Sequence, residues 1–199
     1  MNRIGVMGGT FDPIHNGHIA IAEAAVKELG LDYVYMMPNN IQPFKQNRKI
    51  TPNRERLDML ERVAEEIPEI RILTIEMEND TVSYTYDSML KLKKMYPDKE
   101  IVFIMGADSL FSIDRWYKSE ELIKICSFAA GFRPGYSNCL FENRINELRK
   151  KGVKIYLLKN IELPISSTEL KNRLKDGSSI KGLVPDSVER YINEQGLYK

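Results

Sequence analysis

The sequence predicts an α/β protein built on a doubly wound, mostly parallel sheet with a small helical part at its C-terminal end. Three observations predict it. Short apolar runs recur along the chain, helical patterns separate most of them, and the first run enters a glycine-containing loop that opens a helix. Sheets of this class bind ligands beyond the carboxyl ends of their strands, so the first loop is the place to look for function.

Arg3-Ile4-Gly5-Val6-Met7 is the first strand, and Ile19 to Gly30, rich in Ala, Glu and Lys, is the first helix. Between them lies Gly8-Gly9-Thr10-Phe11-Asp12-Pro13-Ile14-His15-Asn16-Gly17-His18, which holds both histidines of the chain. Glycines let backbone N–H groups approach a phosphate, and the helix start points its positive dipole end at the same place. His15 and His18 share a face of the first helical turn and can reach one phosphoryl group, with Gly17 keeping that face uncluttered. A bare pair of histidines at this spacing reads as a helix cap or a surface pair. With strand, glycines and helix around it, the pair reads as a nucleotide site.

Further strands are expected at Tyr33 to Met37, Ile70 to Ile75, Ile101 to Met105, Phe128 to Phe132 and Val153 to Leu158. Thr51 is placed to cap a helix with Pro52 at its first position and Leu57, Leu60, Val63, Ala64 and Ile67 along one face. Tyr86 to Met95 and Glu142 to Lys151 also read as helices, and two short ones close the chain at Ser167 to Lys175 and Asp186 to Gln195. A length of 199 residues with 43% hydrophobic and 29% charged fits one soluble domain over residues 1–199, its helical segment starting near residue 166.

Lys and Arg (29) nearly balance Asp and Glu (28), so no broad basic field exists and nucleic acid is not an expected partner. Any anion site must be local. Cys126 and Cys139 lack the number and spacing of a disulfide framework or a zinc site, no apolar run is long enough for a membrane span, and no leader precedes the first strand. These features point to a cytoplasmic protein without membrane attachment. Oligomeric state is not legible, and a homo-oligomer stays open. The cations Lys45, Arg48, Lys49, Arg54 and Arg56 are expected to be solvated, all but Lys45.

Gly9 to His18 resembles the H-x-G-H signature of the nucleotidyltransferase superfamily, which implies a Rossmann-like nucleotidyltransferase fold. Ile165-Ser166-Ser167-Thr168-Glu169-Leu170-Lys171-Asn172-Arg173 resembles the I-S-S-T-x-[IL]-R-x-R segment of bacterial nicotinate-nucleotide adenylyltransferases. Ser83-Tyr84-Thr85, Gly106-Ala107-Asp108-Ser109-Leu110 with Trp116, Arg133-Pro134-Gly135-Tyr136 and the ending Val184-Pro185 through Gly196-Leu197-Tyr198 are similar to the same family, so the resemblance spans nearly the whole chain. Two positions depart from it. Phe44 replaces the histidine of a P-x-x-x-P-P-H-K segment, and Lys171 replaces an arginine, exchanging a flat bidentate phosphate ligand for a flexible point charge.

The resemblance implies transfer of AMP from ATP to nicotinate mononucleotide, giving deamido-NAD and pyrophosphate. The attacking group is already a phosphate, so no general base and no covalent enzyme intermediate are expected; the protein aligns the reactants and stabilises charge. His18 is implied to contact the α-phosphate, with His15 and Lys45 as its catalytic companions. ATP would be held by Gly8, Gly9, Thr10, Phe11, Gly106, Asp108, Arg133, Ser166, Ser167, Thr168 and Lys171, and the nicotinate nucleotide by Asn39, Tyr84, Thr85 and Trp116. Magnesium would arrive with ATP, held by phosphates and water, with no metal site made by protein alone. Bland alternatives stand beside these roles: an N-cap for Ser166 to Thr168, a helix cap for Asp108, core packing for Tyr84 and Trp116. Rival readings are another small nucleotidyltransferase, such as one using phosphopantetheine, and a noncatalytic nucleotide sensor.

Overall fold

The structure is a computed structural model that describes residues 3–41, 50–78, 82–131, 138–159 and 165–199, without the side chains of 107, 108 and 138. Among these residues β1 (Arg3–Gly9), β2 (Val34–Pro38), β3 (Ile70–Ile72), β4 (Glu100–Gly106), β5 (Ser127–Gly131) and β6 (Ile155–Leu158) form one parallel sheet in the order β3-β2-β1-β4-β5-β6. The helices are α1 (Asn16–Leu29), α2 (Asn53–Glu66), α3 (Thr85–Met95), α4 (Ala107–Ser112), α5 (Ser119–Ile125), α6 (Asn138–Lys150), α7 (Ser167–Lys175) and α8 (Asp186–Glu194). Strand order reverses direction between β1 and β4, the place where a doubly wound sheet opens a crevice.

Alternation along β4 shows why the sheet is buried on both sides. Val102 and Ile104 face the layer made by α1, α2, α7 and α8, whereas Ile101, Phe103 and Met105 face α3, α4, α5 and α6. Both sets are buried, so the strand reads as a continuous apolar run. The helices supply matching stripes, such as Ile21, Ala22 and Ala25 of α1 against one face and Phe141, Ile145 and Leu148 of α6 against the other. Asn16 fastens the late chain to α1, its backbone N–H donating to the Leu183 carbonyl at 3.0 Å and its Nδ2 to the Gly182 carbonyl at 2.9 Å.

Two expectations need correction. The third strand stops at Ile72 rather than Ile75: as an edge strand it pairs with β2 alone, and after Leu73 donates to the Met36 carbonyl the chain closes a turn from Met77 to Thr74. Thr51 does not cap α2. Pro52 holds that place, while the Thr51 N–H donates to Asp12 and its carbonyl accepts from Arg56. Ala107 to Ile125 folds into α4, a 3₁₀ turn at Ile113–Arg115 and α5, pieces too short for a periodic pattern to register.

Candidate active site

A cavity of about 810 Å³ opens at the switch point, large enough for a nucleotide and a second ligand. Gly8 and Gly9 bring β1 to its floor. Gly106 ends β4 and stands as the N-cap of α4, where an added Cβ would meet nothing within 4 Å. Thr10, Phe11, His15 and His18 line the same cavity, as do Ser166, Ser167, Thr168 and Lys171 from the α7 side and Asn39, Tyr84, Thr85 and Trp116 from the other end.

At the first loop, His15 is the N-cap of α1 in extended conformation, and its ring stacks on that of His18 with centroids 3.7 Å apart. Phe11 packs T-shaped against His18, centroids 5.0 Å apart, with its own backbone in the left-handed region (φ 48°). Gly17 leaves room for this stack, since a Cβ there would lie 3.0 Å from His15 Nδ1 and press the ring aside. No acidic side chain occupies the first turn of α1, so its positive end remains available to an anion.

Across the cavity Ser166 caps α7, its Oγ accepting from the Glu169 N–H at 3.2 Å, and Ser167 Oγ donates to the Pro13 carbonyl at 2.9 Å, tying α7 to the first loop. Lys171 is ion-paired with Asp12. Asp12 also accepts from Tyr198 Oη at 2.7 Å and from the Thr51 N–H at 3.4 Å. Burial alone would push the Asp12 carboxyl up; hydrogen bonds from Lys171, Thr51 and Tyr198 outweigh it and hold Asp12 below the usual carboxylate value. Burial and the Asp12 charge together drive the Tyr198 phenol well above its ordinary value. Arg173 points elsewhere, paired with Glu169 on the exposed face of α7.

At the opposite end Asn39 follows β2, 6% exposed, its N–H bonded to the Gly9 carbonyl at 3.0 Å. Its Oδ1 is buried without a protein partner among the described residues, in a wall of the cavity. Tyr84 is the N-cap of α3 and Thr85 its first residue, so the Thr85 N–H stands outside the intrahelical ladder. Trp116 serves two purposes: its indole packs edge-on against core Phe103 at 5.7 Å and donates to Ser112 Oγ at 3.3 Å while also lining the cavity. Tyr117, tilted 4.5 Å from Tyr84, extends that aromatic wall. Glu76 lines it too, accepting from Ser88 Oγ, and burial raises its carboxyl to about 7.

Lys45, Phe44 and Arg133 lie outside the described residues. Asp108 is the second residue of α4, one step inside the helix rather than its cap, and its side chain is not described. Two positions received no role from the sequence: Asp12 sits inside the quoted motif, and Tyr198 lies in the ending that resembles the family, but its partner Asp12 is 186 residues away. Arg56, expected to be solvated, is fully buried instead.

Residues 6–173 match the model of the cytidylyltransferase-like family. A probable nicotinate-nucleotide adenylyltransferase of Thermoanaerobacter sp. is 41% identical, the match covering 99% of this chain and 94% of the relative. The nicotinate-nucleotide adenylyltransferase of Bacillus subtilis is 35% identical over the whole of both chains. Among solved structures, Plasmodium falciparum nicotinic acid mononucleotide adenylyltransferase complexed with NaAD superposes with a TM-score of 0.81 at 21% identity, covering 100% of this chain and 98% of that one, which shows a common fold. By length of match and identity to its curated relatives, this chain belongs to the nicotinate-nucleotide adenylyltransferase family.

Proposed function

We propose that the cavity transfers AMP from ATP to nicotinate mononucleotide, forming deamido-NAD and releasing pyrophosphate. The observation that carries this reading is the division of one cavity into two chemically different ends. One end offers the stacked His15–His18 pair, the start of α1 and the Ser166–Thr168 cap of α7, all suited to phosphates. The other offers Tyr84, Tyr117 and Trp116 as an aromatic wall, with the Thr85 N–H and the Asn39 amide as polar groups for a pyridine carboxylate. Among the relatives, NaAD is the ligand named with the Plasmodium enzyme.

The mononucleotide phosphate is an adequate nucleophile without a base, so the residues act by alignment and charge stabilisation. His18, braced by Phe11 and His15, meets the α-phosphate, whose charge grows as the new bond forms. Ser166, Ser167 and Thr168 hold the pyrophosphate end, and Lys171 leaves Asp12 to reach it. Lys45, Asp108 and Arg133 complete the site in this reading by their resemblance to the family. Magnesium would come as a companion of ATP, held by phosphates and water; among the described residues no three His, Cys, Asp or Glu side chains converge to cage a cation. When bound, it would offset charge on the triphosphate.

A cytoplasmic setting suits a site for nucleotides and the free thiols Cys126, which burial pushes up to about 12, and Cys139. Among the described residues no helix is long and apolar enough to cross a membrane. The residue assignment is tested by His18→Ala. We expect pyrophosphate release to fall at least about a hundredfold with ATP binding and Tm retained, as for loss of a transition-state phosphate contact. Near-normal turnover in the folded variant removes His18 from the reaction.

A further inference from the structure

Arg56, on the first turn of α2, is 0% exposed, and among the described residues it is the one Lys or Arg that is buried. Its guanidinium donates from Nη1 to the Thr10 carbonyl at 2.7 Å and from Nη2 to the Asn39 carbonyl at 2.7 Å. Nη2 also meets Asn53 Oδ1 at 2.5 Å, and Nε donates to the Thr51 carbonyl at 3.0 Å. Every one of these acceptors is uncharged. Burying a guanidinium is costly, and an apolar residue of similar length would fill the same space between α2 and the sheet without that cost. The planar fork of donors therefore has a use other than core filling.

The bonded carbonyls identify that use. Thr10 belongs to the loop after β1, at the phosphate end of the cavity, and Asn39 to the segment after β2, at the aromatic end. One rigid group thus sets the spacing of both walls, and Asn53 extends the hold by donating from Nδ2 to Asn40 Oδ1 at 2.7 Å. Resting on the function proposed above, we infer that Arg56 is a positioning residue that keeps the ATP end and the nicotinate end of the site in register without touching either substrate. A lysine keeps the charge but has no fork and cannot span Thr10, Asn39 and Thr51 at once.

The test compares the parent, Arg56→Lys, Asn53→Ala and the core variant Val63→Ala, which loosens α2 without touching the fork. Each is measured for Tm, for kcat and both KM values, and for binding of ATP and of nicotinate mononucleotide by calorimetry. Arg56→Lys is expected to lose at least about tenfold in kcat/KM and to weaken binding of both nucleotides. Asn53→Ala should move the same quantities less, which keeps the inference testable if Arg56→Lys does not fold. Val63→Ala should lower Tm and leave both KM values near the parent's. A folded Arg56→Lys with unchanged constants, or a Val63→Ala that reproduces its losses, overturns the clamp. A parent that binds both nucleotides but makes no dinucleotide sinks the function proposed above and leaves the clamp to be judged on binding; a parent that binds neither overturns both.

Discussion

Glu76 and Arg56 are polar side chains in or behind the cavity wall, and burial acts on them in opposite ways. Glu76 can shed its charge, and its carboxyl is raised to about 7; Arg56 cannot, so it is wrapped in carbonyls. A carboxyl raised from 4.5 to about 7 binds its proton longer in the folded chain than in the unfolded one, so stability falls as pH rises between those values and levels off above them. Glu76→Gln mimics the protonated acid at every pH. Its Tm relative to the parent is therefore expected to rise across that interval, with a larger difference near about pH 8 than near about pH 4.5. Thermal scans at the two ends check it, and an equal difference at both contradicts the burial argument. His15 and His18 were legible in the sequence because their neighbours in the chain are also their neighbours in space. Arg56 was not, because its partners Thr10 and Asn39 come from other segments 46 and 17 residues away.

Elements are held in register by a different device at the far ends of the strands. Glu100 opens β4 and accepts from Arg3 Nε of β1 at 3.0 Å, from Ser127 Oγ of β5 at 2.7 Å and from Tyr156 Oη of β6 at 3.0 Å, with Lys154 Nζ 2.7 Å away. Burial alone would raise its carboxyl; Lys154, Ser127, Arg3 and Tyr156 bring it down to about 2. The folded value lies below the unfolded one, so this cluster contributes in full above 4.5 and its contribution is lost as pH falls toward about 2. Glu100→Gln should lower Tm modestly at neutral pH, since the cluster is partly solvated, and the gap to the parent should close on acidification. A gap that stays constant with pH would show that the cluster acts through packing. The long elements were readable because burial marks them: β4 is apolar from Ile101 to Met105, and α1 and α6 carry apolar stripes. On α2 the predicted stripe held at Leu60 and Val63, with Ala64 and Ile67 partly buried against the same core, and it missed Met59 and Arg56, since an arginine on a buried face breaks the pattern that marks it. α4 and α5 are each shorter than two full turns, and at α7 the cap Ser166 was legible while the Ser167 link to Pro13 needed the fold.

The whole molecule assembles its site from both ends of the chain. Asp12 near the start, Lys171 in α7 and Tyr198 near residue 199 meet in one cluster, which couples the loop after β1 to packing of the late helices. Parallel strand order then brings the first loop, the end of β2 and the starts of α3 and α4 around one crevice. The central claim is that this crevice joins an adenylyl group to a nicotinate nucleotide. Its most direct test is pyrophosphate release from ATP and magnesium with nicotinate mononucleotide, nicotinamide mononucleotide or phosphopantetheine supplied separately as acceptor. The account predicts release with nicotinate mononucleotide well above that with the other two. Release that prefers another acceptor, or none with any of the three despite ATP binding, would contradict it.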